Sequence, residues 1–341
     1  SALSKAYSKG YVLSGLMDDK GIGLAYAEDF LTFIDKVAPN NTLSNKKVLE
    51  IGCGNGYLLK CLKEKNAVVL GIEPGNHGQD GAKKWGVPIV QDSFPSNAVI
   101  GKFDVVIAFA VLEHVESPVE FLSLIMANLS DDGIVIIAVP DEGPYINSGD
   151  ASTLFHEHWS YFDKDSLLNT VRSAGYRDLE CELSGYGGSI FCAMKKAEVN
   201  LTLGDDIIAL SIIRANKFID QACQHIQTLQ GYFEAIQRKD ESVAIYVPGR
   251  GVNALSIANT SLDSRRFIDD NPMLIDTYFP GFNIPIESRE MLISKPSDNV
   301  IIMSRTFGQK LAIELKQELK GEVNIVTIED VLKLTQDTIK L

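Results

Sequence analysis

The chain is predicted to be an α/β protein, a parallel sheet covered by helices on both faces followed by a second, smaller α/β domain. Three observations predict it. Short β-branched or aliphatic runs alternate with helix-periodic stretches from Lys47 to Val139, the pattern of a buried parallel sheet. A glycine turn, Gly52-Cys53-Gly54-Asn55-Gly56, sits between an apolar run and a helical one. A second alternation, with its own glycine turn, begins after a long polar helical stretch.

Taken in order, residues 1–45 form an N-terminal helical segment. Within it Leu24, Ala25, Ala27, Phe30, Leu31 and Ile34 fall near helical spacing over Gly23–Val37. The first domain is expected over 46–198. Its strands are Lys47–Ile51, Ala67–Ile72, Ile89-Val90, Phe103–Ala108 and Gly133–Val139, and its helices are Tyr57–Lys63, Gly78–Trp85 and Pro118–Asn128. After Pro140 the alternation loosens into a polar loop, Asp141–Thr153, of a length that is usually functional or mobile. A helix Asp165–Ala174 follows, then two successive strands near Leu179–Leu183 and Ser189–Met194. Two strands in succession predict an antiparallel hairpin at one sheet edge.

Residues 199–240 read as a connecting helix, without proline after Leu203. The second domain, 241–341, is expected to contain strands at Ser242–Val247, Arg266–Ile268, Asn299–Ser304 and Val323–Ile328. Its helices are expected from Asn253 and over Gln309–Leu319.

At 341 residues and 45% hydrophobic, the chain can bury a full core, and its length suits two domains. A net charge of -13 without a basic run argues against nucleic acid as a partner. No apolar stretch approaches the ~20 residues that cross a bilayer, and no secretory leader is read at the start. Five cysteines without Cys-x-x-Cys spacing read as reduced thiols of a cytoplasmic protein. Cys53 reads as a small residue that fits the glycine turn.

The strand–turn–helix unit suits an adenosine-type cofactor. Gly52, Gly54 and Gly56 let the backbone approach a ligand, and Glu73 follows the next strand about 20 residues on, placed for a ribose diol. The third glycine comes one residue earlier than in the dinucleotide pattern. Glu50, just before the turn, would repel a pyrophosphate but could receive an ammonium. The reading therefore favours S-adenosylmethionine (SAM), with a small molecule as substrate. Asp92, after the third strand, reads either as a helix N-cap or as a cofactor contact. A nicotinamide site at Gly249-Arg250-Gly251 is disfavoured, because no downstream ribose acid is read there.

From Val48 to Leu183 the chain resembles class I SAM-dependent methyltransferases, with their Rossmann-like sheet. The resemblance implies that Asp92 faces the adenine. It also implies that the strand Phe103–Ala108 and the loop Leu112-Glu113-His114-Val115 lie over the cofactor, bringing Ala108 and His114 to it.

A second resemblance is more specific. Phe155-His156-Glu157-His158-Trp159-Ser160-Tyr161-Phe162 is similar to the Tyr-His-Glu-His-x-Ser-Tyr-Phe segment of the sugar C-methyltransferases, which act on nucleotide-linked keto sugars in deoxysugar pathways. Asp270-Asn271-Pro272 and Tyr278–Ile286 resemble that family's C-terminal domain. The resemblance implies that a base removes a proton beside a ketone and that the enolate takes the methyl group. By position His158 would be the base, Glu157 would act on a substrate hydroxyl or the developing enolate, and His156 would help to position the substrate. Tyr7 or Tyr11, with Arg250 and Asn253, would touch the substrate.

Taken alone, His158 reads as a core histidine bonded to a carbonyl; the surrounding match favours the base. His156-x-His158 lacks the fixed-spacing partners of a zinc site, so no metal is expected. The chain departs from the family in three ways. It shows none of the ligands of the small zinc domain with which that family commonly begins. Phe155 replaces a tyrosine. Arg250-Gly251-Val252-Asn253 stands where the family has Lys-Gly-Asn, and the lysine expected after Asn-Pro is replaced near Leu274.

Overall fold

The computed structural model describes residues 17–155, 157–198, 205–258, 265–305, 307–319 and 323–334. Tyr7, Tyr11 and His156 lie outside them. Among the described residues no helix is long and apolar enough to cross a membrane. The chain divides into two units, one formed by Ser1–Pro144 with His156–Ser211, the other by Tyr145–Phe155 with Ile212–Leu341.

The first unit is built on a seven-stranded sheet. Its elements are α1 (Gly21–Val37), β1 (Lys47–Ile51), α2 (Tyr57–Glu64), β2 (Val68–Ile72), α3 (Asn76–Trp85), β3 (Ile89–Val90) and β4 (Phe103–Phe109). They continue with α4 (Pro118–Ile125), β5 (Leu129–Pro140), α5 (Lys164–Ser173), β6 (Tyr176–Leu183) and β7 (Ser189–Lys196). The strand order is β3-β2-β1-β4-β5-β7-β6. β1 to β5 pair in parallel, and the expected hairpin inserts β7 antiparallel to β5 with β6 at the edge. The order reverses between β1 and β4, which opens a crevice at the carboxyl ends of those strands. Ile51 stands opposite both Ile72 and Ala108, so three loops leave the sheet at one level.

The apolar runs explain the burial. Val48, Leu49, Val105, Val106, Ile107, Val135, Ile136 and Ile137 are all fully buried, as strands covered on both faces require. The N-terminal helix is not a separate segment. Ala27, Phe30 and Ile34, spaced three and four apart, form one stripe of α1 and join the core of β1, β4, β5 and β7. The Phe30 ring lies 5.0 Å from both Phe109 and Phe191.

The second unit has a five-stranded, wholly parallel sheet of order β10-β9-β8-β11-β12. The strands are β8 (Val243–Tyr246), β9 (Arg265–Asp269), β10 (Ile286–Ser288), β11 (Asn299–Ile302) and β12 (Asn324–Thr327). The long helix α6 (Asp205–Arg238) gives Leu229, Phe233 and Ile236 to this core. A helix α7 (Gly251–Ala258) follows β8. The partition departs from the expected boundaries at 46, 199 and 241. α1 belongs to the first core and most of α6 to the second; the stretch expected as a polar loop, Asp141–Thr153, instead carries a short helix Gly143–Ser148 and a 3-10 turn Ala151–Thr153, and Tyr145–Phe155 is held in the second unit. The three-residue strand β10 is too short to carry a recognisable period.

Phe30→Ala should destabilise the protein by ~3–5 kcal/mol, read as a lower urea midpoint. An unchanged midpoint would mean that α1 is not part of the first core.

Candidate active site

Every first-unit element of the site lies at the carboxyl edge of the first sheet. Gly52, Gly54 and Gly56 adopt φ of 68°, 52° and 72°, a left-handed conformation that other residues rarely adopt. The amides of Gly52 and Cys53 donate to the Ile72 carbonyl at 2.8 and 3.3 Å, tying the turn to the end of β2. Glu73, 6% exposed, accepts the Gly54 amide at 3.1 Å and the Gly75 amide at 2.8 Å. His77 Nε2 stands 3.3 Å from the same carboxylate. The predicted acid therefore faces the glycine turn and is held there by backbone donors.

Glu50 lies in β1 just before the turn. It is buried, and its Oε2 has no hydrogen-bond partner among the described residues. Burial pushes its carboxyl well above the usual carboxylate range, and the charge of Glu73 adds to the push. An orphaned buried carboxylate fits a ligand that brings its own cation. Cys53 packs against Gly71, which has no room for a Cβ beneath the thiol. Burial, then the nearby Glu50 and Glu73, push that thiol well up, so Cys53 is a packing residue and not a thiolate nucleophile.

Ala108 is buried in β4. Beyond β4, Leu112–His114 forms one 3-10 turn and brings Glu113 and His114 inward. The Glu113 carbonyl accepts the amides of Trp159 at 2.8 Å and Ser160 at 3.3 Å. His114 Nδ1 lies 3.2 Å from the Glu157 carbonyl. These contacts join the Leu112–His114 turn to the Glu157–Ser160 segment, from opposite sides of 42 intervening residues in the sequence. The rings of His114 and His158 meet edge-on with centroids 4.9 Å apart, and Tyr161 lies 5.8 Å from His158.

The site thus brings His114, Glu157 and His158 together, and adds Glu113, to which sequence reading gave no role. Glu113 Oε1 is 3.8 Å from His114 Nε2. Burial pushes the Glu113 carboxyl up to about 8, with Glu142 nearby adding to the push. Burial also lowers the His114 imidazole, against a smaller opposing effect of Glu157. The one signal for Glu113 was an acid directly beside a histidine in a loop after a strand. Asp92 is exposed and caps no helix. Its carboxylate accepts from Ser93 N–H at 2.8 Å and Ser96 Oγ at 2.7 Å, which hold it below its ordinary range.

In the second unit a cavity of about 210 Å³ lies beyond the carboxyl ends of β8 and β11, lined by Arg250, Arg305, Asp150 and His225 among others. The Arg250 guanidinium lies 5.2 Å from the Tyr145 ring and 5.3 Å from that of Phe155, a cation–π arrangement. Arg305 pairs with the buried Asp150 at 2.6 Å. Asn253 donates to the carbonyls of Ser152 at 3.3 Å and Leu154 at 3.1 Å, so in this structure its amide fastens the 151–154 segment. The turn at Gly249 does have a downstream acid. Asp269 ends β9 beside β8, buried, in the place that Glu73 takes after β2. It accepts the Asn271 amide at 2.9 Å, and sequence reading passed over it because the run that follows, Asp270-Asn271-Pro272, was read only for its family resemblance.

Residues 25–181 match the family described as "Methyltransferase domain", and 208–328 match "C-methyltransferase C-terminal domain". The chain is 23% identical over 300 residues to the C-methyltransferase NovU of Streptomyces niveus, covering 80% of this chain and 70% of NovU. It is 26% identical over 161 residues to the tRNA U34 carboxymethyltransferase of Pseudomonas fluorescens, covering 43% of this chain and half the length of that relative. Magnesium protoporphyrin IX methyltransferase of Synechocystis, solved with bound SAH, aligns with a TM-score of 0.46 at 14% identity, over 57% of this chain and 99% of that one.

The first unit is a class I SAM-dependent methyltransferase domain. The chain as a whole combines it with a C-methyltransferase C-terminal domain.

The raised Glu50 carboxyl links stability to pH. The folded state keeps this proton above pH ~4.5, where the unfolded chain has begun to lose it, so stability falls as pH rises from there towards the folded value. Glu50→Gln removes that loss. Its urea midpoint should gain on the wild type progressively between pH 5 and 8, by up to ~1.4 kcal/mol per pH unit. Parallel profiles would show that Glu50 is ionised in the fold.

Proposed function

We propose that the chain methylates carbon in a keto sugar, in particular a nucleotide-linked one, or in a related polar metabolite, with His158 as general base. The match to a C-methyltransferase through both domains, 80% of this chain, carries the reading. The net charge of -13 makes a polynucleotide a poor alternative substrate.

The bound cofactor supplies an electrophilic methyl group. Glu50 receives its ammonium, Glu73 its ribose, and the glycine turn allows close approach of the backbone. His158 takes the proton beside the substrate ketone, which leaves an enolate carbon as nucleophile. An imidazole suits this task because its ordinary pKa lies near neutral pH. Glu157 acts on a substrate hydroxyl or on the developing enolate, while its backbone carbonyl orients the His114 ring. Arg250, held between two rings, offers a guanidinium to an anionic part of the substrate. Much of the acceleration comes from alignment of nucleophile and methyl group.

His158→Ala should lower methyl transfer by ~10²–10⁴-fold while calorimetry still shows binding of SAH, the demethylated cofactor. With ¹³C-methyl-labelled cofactor, NMR of the product should place the label on carbon. A label on oxygen or nitrogen would replace this reading with heteroatom methylation on the same scaffold. Turnover that survives in His158→Ala would remove the base from its role.

A further inference from the structure

We propose that Glu113, His114 and His158 form a binding site for one divalent transition-metal ion of the zinc class. One ligand atom from each residue lies within 4.8 Å of the others. Two imidazoles and a carboxylate are a known three-residue donor set for Zn²⁺, leaving a fourth position for water or substrate. At metal–ligand distances of ~2.0–2.2 Å, tetrahedral ligand atoms stand roughly 3.4 Å apart. Glu113 Oε1 and His114 Nε2 are already at 3.8 Å, so rotation of side chains closes the site.

The orientation of His114 is compatible with a metal ligand, and a separate observation on Glu113 points to one. The Glu157 carbonyl can only accept a hydrogen bond, so His114 Nδ1, 3.2 Å away, carries the hydrogen. The neutral ring then directs the Nε2 lone pair towards the Glu113 carboxylate. A proton or a metal ion can bridge these two atoms. A backbone carbonyl on the far ring nitrogen is also the usual way in which a metal-binding histidine is oriented. Separately, Glu113 is 2% exposed and its Oε2 has no hydrogen-bond partner among the described residues. Its backbone carbonyl carries the contacts to Trp159 and Ser160, which leaves the carboxylate for a ligand. The sequence hides this site, because Glu113 and His158 are 45 positions apart.

Occupancy has a consequence that rests on the function proposed above. A His158 nitrogen that donates its lone pair to a metal cannot take a proton from substrate, so the ion holds the enzyme inactive. Binding itself does not depend on that reading.

The test uses the full chain, stripped with EDTA and titrated with Zn²⁺ by calorimetry, and with Co²⁺ followed by visible absorption. The expected result is one ion per chain, with a Co²⁺ spectrum of tetrahedral type. Glu113→Gln and His158→Asn should each weaken binding by more than ~100-fold, beyond the range seen when only an outer hydrogen bond is lost. Cys223→Ser, at an exposed thiol, should leave stoichiometry and affinity unchanged. If Glu113→Gln fails to fold by circular dichroism, His158→Asn carries the comparison. Absence of a bound ion, or binding that both variants retain, overturns the site. Methyl transfer that stops at one equivalent of Zn²⁺ and returns with EDTA supports the consequence. Turnover that persists with the ion bound leaves the site standing and overturns the base role of His158.

Discussion

Buried carboxylates are the constraint on which the first unit depends. Glu50, Glu73, Glu113, Glu142 and Glu157 are each at most 6% exposed. The first four lie at or just beyond the carboxyl ends of β1, β2, β4 and β5. Removing one ionised carboxylate from water costs several kcal/mol unless a partner compensates. The fold meets that cost unevenly. Glu73 receives two backbone amides. Glu50 and Glu113 each retain a buried oxygen without a hydrogen-bond partner among the described residues. Such an edge is suited to ligands that bring positive charge, and a sulfonium cofactor with a free ammonium does so twice.

The sheet makes this arrangement possible at low cost elsewhere. Because β1 pairs with β2 on one side and β4 on the other, loops after three strands converge while the middles of the strands stay apolar. The polar chemistry is confined to the ends. The Leu112–His114 turn and the Glu157–Ser160 segment are then joined through backbone groups at the Glu113 and Glu157 carbonyls. These bonds use the backbone carbonyls of Glu113 and Glu157 and the Nδ1 of His114, so the Glu113 carboxylate takes no part in them.

What was legible in the sequence follows the range of each interaction. The parallel alternation, the glycine turn and Glu73 are local patterns of a few residues, and each is found where its spacing implied. The edge hairpin was legible for the same reason. The role of α1 was half visible. Its stripe of Ala27, Phe30 and Ile34 announced a buried face, but nothing local says that the face packs on the first sheet. Glu113 depended on a contact with Trp159 across 45 intervening residues, and no single-sequence period reports that. Asn253 was legible as a turn residue, whereas its use of the Ser152 and Leu154 carbonyls depends on a segment about 100 positions away.

The two glycine turns also show why a repeated architecture need not repeat its chemistry. Both follow a central strand at the point where strand order reverses, and both have an acid at the end of the neighbouring strand. In the first, the turn consists of positive-φ glycines, and the charges near it are carboxylates. In the second, Val247 and Gly249 adopt φ of 49° and 44°, and the loops contribute Arg250 and Arg305. Asp150 compensates Arg305, so Arg250 gives the cavity lining its net positive character. Opposite signs at equivalent positions suit ligands of opposite charge.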